Sequence, residues 1–507
     1  MALHGFLNDP SRNNHPAYND SLFTTEAPEW STGEVLLGSV YRKLLLGIHD
    51  NVVDLEEIVN LPLDFQAERE VWSMLLLERG GLASPLKSGQ HGARPFRQLM
   101  PLVPHVAKHA CVVGRLGKNR WFPGNLLLDI LGAGAGATDS QAVLDDFAAA
   151  LRVGDKDDIF GRFTEQRLAT LDDSPGSTPV PVEDRHRRAY RGKEPTDGQL
   201  TPAERFCRDL RSVLELKEKL TRRQWTVLVE AVLRIGMGTH VLWACHVNAR
   251  CWEMVLAIAG GAPPPTETAV EHALYEVHRD RNSFLEMGRE AVVLVRRILE
   301  RHLFGRYGLN LVLHKLDDVG HGWPAGQIIG FAPGTGKTAP KAVQEFLEHI
   351  AMHRTSIDAD PAEWLRRNCR ELCDSNLELV KSETGFTKNL LEFVRHTLGQ
   401  IETDNPEQKS YDQSYLLANR QKGRGRASQW PVQPGPAMLI LLVHACHKSQ
   451  GDIPASLEDL RNHLADYGLR APAGELAGGQ VGADLEKLGL VVDSPDAAGG
   501  RLLVAPF

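Results

Sequence analysis

The chain has 507 residues, enough for about two to four domains, and its 42% hydrophobic and 24% charged residues are ordinary for a soluble globular protein. A formal net charge of −8 excludes a global basic field, so any nucleic-acid contact has to use a local patch. The seven scattered cysteines (Cys111, Cys207, Cys245, Cys251, Cys369, Cys373 and Cys446) match neither a disulfide framework nor a zinc ribbon and predict reduced thiols in a cytoplasm.

Residues 1–30 are polar and show no basic segment followed by an apolar core. They predict a flexible arm and no secretory leader. Residues 31–150 form an N-terminal helical domain, because "EVLLGSVYRKLLLGI" and "AEREVWSMLLLERGG" repeat apolar residues at three and four. With "DLEEIVN" between them they allow a helix-turn-helix variant. "GAGAGATDS" reads as a flexible joint before a short helix at 139–151. Residues 171–200, rich in proline and charge and without periodicity, read as a linker. Its Arg185, Arg187, Arg188, Arg191 and Lys193 are offset by Glu183, Asp184 and Glu194.

Residues 201–410 form a central helical domain with strong local start signals. Thr201 with Glu204, Thr221 with Gln224 and Asp360 with Glu363 have the spacing of capping boxes. The most apolar stretch, Trp225 to Ala259, is broken by Glu230, Arg234, His240, Asn248, Arg250 and Glu253, so it reads as a buried helix pair and not a membrane span. The one interruption is at 308–332, where two short apolar runs, Leu309 to Leu313 and Gln327 to Ala332, predict a small β-hairpin insertion or the start of an α/β element.

"FAPGTGKT" at 331–338 has the latter half of a phosphate-binding loop, in Gly334, Gly336, Lys337 and Thr338. Phe331 stands where the loop's first glycine belongs. No later strand ends in a magnesium-organising acid, and the region offers at most two strands. The stretch reads as a turn into a helix capped by Thr335 or Thr338, and a nucleotide-binding ATPase or switch with ATP and magnesium is the alternative. His240, Cys245, His246, Cys251, Glu271, His272, Glu276 and His278 fit no zinc spacing, so a buried cluster is expected and no metal. His278-Arg279-Asp280 lacks the surroundings of a kinase catalytic loop. No catalytic constellation emerges.

Residues 411–432 form a basic linker in which Arg420, Lys422, Arg424 and Arg426 lie between Tyr411, Tyr415 and Trp430. Such a strip suits a phosphate backbone with bases stacking on the aromatics, and a solvated linker is the alternative. In residues 433–507, three helical segments precede "LVVDS", a turn and "RLLVAP". That order, with "LEKLGLV" leading into the first strand, resembles the winged-helix superfamily. The resemblance covers about 75 residues, implies a fold, and names no partner. The segment carries five Lys or Arg against nine Asp or Glu, so it is expected to pack on protein. "GPAMLILLVHAC", "DYGL" and "LGLVVDSPDAAGG" also resemble the ends of helical accessory proteins from bacterial anti-phage and DNA-modification gene clusters. Helical arrays ending in winged helices are similar to kleisin-like and PCI-like subunits.

The expectation is a mainly α, multi-domain helical array with one β-hairpin insertion and a C-terminal winged helix. It would act as a non-catalytic cytoplasmic scaffold, with other protein subunits and DNA or RNA as partners and no membrane.

Overall fold

The structure, a computed structural model, describes residues 2–10, 13–19, 21–22, 24, 36–45, 103–104, 123–169, 181–192, 199–276, 278–279, 283–324, 329, 338–381, 385–399, 414–418, 421–422, 428–451, 453–493 and 501–507. The chain is mainly helical. In order come α1 (Ala2–Asn8), α2 (Pro16–Asn19), α3 (Leu36–Leu45), α4 (Pro123–Leu151), α5 (Ile159–Ala169), a 3-10 turn (Asp184–Arg187), α6 (Pro202–Leu214), α7 (Arg222–Ala259) and α8 (Glu267–Tyr275). Next are β1 (Leu285–Glu286), α9 (Ala291–Asp318), α10 (Ala339–Ile357), α11 (Pro361–Ser375), α12 (Leu377–Val380), α13 (Gly385–Leu398), β2 (Gln421–Lys422) and β3 (Ser428–Gln429). The chain closes with α14 (Pro436–Gln450), α15 (Leu457–Asp466), β4 (Leu469–Arg470), α16 (Ala473–Ala477), α17 (Gln480–Lys487), β5 (Val491–Asp493) and β6 (Arg501–Leu503). The strands pair two by two. β1 runs parallel to β4, while β2–β3 and β5–β6 are antiparallel.

The helix starts follow local chemistry. Reciprocal capping boxes open α6 at Thr201 and Glu204, α7 at Thr221 and Gln224, and α15 at Ser456 and Asp459. Asp360 caps α11 by accepting from the Glu363 amide.

At the centre lies α7, one helix of 38 residues and not the expected pair. By length and composition it is apolar enough to cross a membrane, but 94% of its most apolar window is buried inside the protein, as in a core helix. Of the polar residues that interrupt its sequence, Arg250 and Glu253 pair on the surface, whereas Glu230 and Arg234 are partnered within the core. Glu230 accepts from the Leu36 and Leu37 amides at 3.0 and 2.9 Å, so it caps the start of α3, and it takes Arg234 Nε at 2.6 Å. The Arg234 guanidinium lies 4.8 Å from the centre of the Tyr415 ring. A buried charge kept this well partnered costs far less than a bare one.

α9 crosses α7 closely because glycines face it. A Cβ on Gly308 would stand 2.5 Å from the Trp252 ring, and one on Gly305 would stand 2.2 Å from Asn248 Oδ1. Gly308→Ala gains roughly 1 kcal/mol of helix propensity and loses about 1–3 kcal/mol to overpacking. Net destabilisation is therefore expected in urea titration, and a rise in the midpoint would refute this close approach.

Four further expectations are corrected. Leu309 to Leu313, expected as a strand of the 308–332 insertion, lies inside α9, where Leu309, Leu311, Val312 and Leu313 are all buried. A short apolar run does not distinguish a buried strand from a buried helix. Of the second run, 327–332, only Ile329 is described, a buried turn residue whose carbonyl accepts from the Leu22 amide.

The N-terminal arm, where described, packs. Phe6 stacks on His314 with ring centres 5.1 Å apart, His15 Nε2 lies 2.8 Å from Asp317, and the Tyr18 hydroxyl accepts from Asn248 at 2.8 Å.

"GAGAGATDS" is part of α4, kinked at Gly136 with φ 79° beneath the Tyr190 ring. Gly134 there admits the Ala203 carbonyl to within 2.2 Å of where a Cβ would sit.

The linker also packs where it is described. His186 is buried, and Arg191 pairs inside the protein with Glu204 at 2.8 Å. One contiguous apolar cluster runs from Leu3 to Leu503 across all three expected units.

Candidate functional site

Two stretches were singled out as sites by the sequence. In the basic strip Arg420, Arg424 and Arg426 lie outside the described residues, and Lys422 is in β2, its backbone opposite Ser428. In the glycine loop Gly334, Gly336 and Lys337 also lie outside them. Thr338 is the N-cap of α10. Its Oγ1 accepts from the Lys341 amide at 3.3 Å and donates to Glu267 Oε1 at 2.9 Å.

The described cysteines are free and buried, and burial raises the thiol pKa of Cys446 to about 12. Among the described residues, no three His, Cys, Asp or Glu side chains gather as metal ligands. His272 pairs with Glu276 at 3.2 Å on the surface, and His278 is buried with its Nε2 on the Leu200 carbonyl at 3.0 Å. His321, His349 and His353 cluster, with His321 stacked on His353 at 4.1 Å.

A small cavity of about 40 Å³ lies where α4, α7 and the 3-10 turn meet, lined in part by Asp129, His186, Arg188 and His240. Burial pushes the Asp129 carboxyl up to about 6, against the pull of Arg188 and Arg185. Burial, helped by nearby arginines, holds His186 down at about 3 and His240 at about 4. At pH 7 the two histidines are neutral whereas Asp129 is mostly ionised beside Arg188, and the cavity is too small for a sizeable ligand.

The richest polar assembly joins the helical body to residues 433–507, and no spacing in the sequence announced it. Arg205 on α6 donates from Nε at 3.0 Å and Nη2 at 2.5 Å to Asp466 Oδ2 at the end of α15. Arg279 donates to the other oxygen of Asp466. Asp209, one turn beyond Arg205, takes His463 Nε2 at 2.9 Å and the Tyr467 hydroxyl at 2.8 Å. Arg205, Asp209, His463, Asp466 and Tyr467 are all buried. Burial works against the Arg205 charge, but Asp209 and Asp466 outweigh it and raise its pKa. Tyr467 is held well above the ordinary tyrosine range by burial and then by Asp209.

The "DYGL" run supplies this joint. Asp466 and Tyr467 enter the network, and Gly468 at φ 70° lets the Phe284 ring approach and accepts the Phe284 amide. Leu469 then pairs with Leu285 in the parallel β4–β1 contact.

Beside the joint opens a cleft of about 570 Å³ between residues 278, 279 and 283, α15 and the turn from β4 into α16. Arg279, Arg461 and Arg470 line it with Asn462 and Ser283, and among the described residues no carboxylate does. Asp466 and Glu458 pair with the cleft's Arg279 and Arg461, and four other acids of the C-terminal unit are engaged elsewhere. Arg501 holds Glu486 at 2.6 Å and Asp493 at 3.0 Å, Lys487 holds Asp484 at 3.3 Å, and Glu475 accepts from the Val481 amide at 3.2 Å. Compared with protein-family models, curated proteins and solved structures, the chain finds no match, so its function is argued from these residues.

Proposed function

We propose that this chain is a non-catalytic scaffold or adaptor subunit of a multiprotein, nucleic-acid-associated assembly, of the kind found in prokaryotic anti-phage defence, and that residues 433–507 are its winged helix. The order α14, α15, α16–α17, β5, β6 supports the fold reading. So does the bridge from Ser456, just before α15, to Leu502 in β6, which sets a third extended segment beside the hairpin.

The observation that carries the functional reading is that this unit is locked to the helical body by the buried Arg205–Asp466–Arg279 pairs, yet keeps an exposed apolar edge. Leu488, Val492 and Val504 are exposed around β5 and β6, in the stretch whose sequence also carries Asp484, Glu486 and Asp493. An apolar patch in an acidic segment suits a protein partner. The strip at Arg420, Lys422, Arg424 and Arg426 supplies the nucleic-acid contact. The nucleotide-switch alternative at Gly334, Gly336, Lys337 and Thr338 draws no support from Thr338, whose hydroxyl hydrogen goes to a carboxylate.

The test is binding of labelled DNA and RNA by fluorescence polarisation across a salt series. Replacing Arg424 and Arg426 with Ala is expected to weaken binding about tenfold or more and to flatten the slope of log affinity on log salt by roughly 1.4 for single strands. An unchanged slope removes the strip from the reading, and no binding to any DNA or RNA removes its nucleic-acid half.

A further inference from the structure

We infer that the arginine cleft beside the joint binds the phosphates of an unpaired nucleic-acid strand, which rests on the nucleic-acid half of the proposed function. Three guanidiniums from two distant parts of the chain converge on it. Arg279 comes from the segment after α8, Arg461 from α15 and Arg470 from β4. In a chain of net charge −8, whose last 75 residues carry more acids than bases, such a gathering runs against composition.

The partners of these arginines leave donors over. Arg279 is anchored by Asp466 through Nη1, Arg461 meets Glu458 one turn earlier, and Arg470 lies 3.9 Å from Glu286. None of those three carboxylates lines the cleft. A guanidinium has five N–H donors in a rigid fork, so one carboxylate contact leaves donors for a phosphate. Arg279 is pre-positioned by its buried pairing, whereas Arg461 and Arg470 have side chains 44% and 58% exposed and are free to close on a ligand.

Asn462 and Ser283 add neutral donors of the kind that bind phosphate oxygens. A concavity of about 570 Å³ has the size of a small-ligand site. A duplex is too wide to enter it, and a single strand or strand end is not. The acidic groups of α16 and α17 are tied to Arg501, Lys487 and a backbone amide, so they are not the cleft's own lining.

The experiment uses the full chain. Polarisation of a labelled single-stranded oligonucleotide is measured for the unmodified protein, for Arg461→Ala with Arg470→Ala, for the two Lys replacements at the same positions, and for Arg424→Ala with Arg426→Ala. Inorganic phosphate and a mononucleotide serve as competitors. The cleft double variant is expected to bind about tenfold or more weakly with a salt slope reduced by roughly 1.4. The Lys pair is expected to restore the slope but not the full affinity, because the fork is lost. Arg470→Ala alone, at the most exposed of the three, repeats the test if the double variant melts early.

Oligonucleotide binding that is unchanged in the cleft variants but lost in the strip variant overturns the cleft and leaves the proposed function standing. No oligonucleotide binding by the unmodified protein overturns both. Mononucleotide or phosphate that binds as tightly as the oligonucleotide overturns the assignment to a strand.

Discussion

Acidification from pH 7 to pH 5 is expected to unfold this protein. His186, His240, His246, His278 and His302 are buried, at 6%, 8%, 5%, 0% and 1% exposure. Burial is the leading cause that lowers each of them, to about 3, 4, 4, 3 and 3 in that order. Neighbouring arginines add to the effect, Arg306 at His302 and Arg301 at His246. In the unfolded chain each titrates near 6.5. Below that pH the unfolded state takes up protons that the folded state refuses, so stability falls with pH from about 6.5 down to the folded values.

Each ring costs about 1.4 kcal/mol per pH unit, so five rings cost roughly 10 kcal/mol at pH 5. That is comparable with the whole stability of a domain. Asp129 acts in the opposite direction. Its pKa is raised to about 6 by burial, so its penalty, present above that pH, is relieved as pH falls towards the ordinary value of 3.8. At pH 5 this returns only about 1.4 kcal/mol, and the histidines win. Thermal melts at pH 7, 6 and 5 check this, with the steepest loss expected below 6.5. A melting temperature that is flat over this range would show that these rings are not buried neutral. His302→Phe should lower the proton uptake on unfolding by about one.

Asp466→Ala is expected to cost about 3–5 kcal/mol, because it strands the buried Arg205 guanidinium away from water and removes the anchor of Arg279. Asp209 lies 3.8 Å from Arg205 and compensates only in part, since it also serves His463 and Tyr467. The loss should concentrate at the joint. Limited proteolysis is expected to release residues 433–507 of the variant under conditions where the unmodified chain resists. Asp466→Asn keeps the shape and removes the charge, so it separates electrostatics from packing, and most of the loss should remain. A denaturant midpoint within about 1 kcal/mol of the unmodified protein would mean that the pairs merely break even with solvation.

Features that depend on neighbours a few residues apart are written in the sequence. The helix starts at Thr201, Thr221 and Asp360 were legible because a capping side chain and its amide are three positions apart. The mainly helical class and the strand pair near the C-terminus followed from periodicity of the same range. Where tertiary packing chooses between local options, the sequence was silent. Leu309 to Leu313 became helix because α9 lies along α7, a choice that a short run of four apolar residues and Asn310 does not express.

Contacts between distant residues were hidden altogether. His15 reaches Asp317 across 302 positions and Arg205 reaches Asp466 across 261, and nothing in the spacing of either pair marks them as partners. The arm therefore looked free and the joint looked like a linker's end. The cleft was masked for the same reason. A count over residues 433–507 sums acids and arginines that the fold separates, with Arg461 and Arg470 at the cleft and Glu486 and Asp493 held by Arg501. Net charge is a property of composition, whereas the field at a site depends on which charges the fold places there.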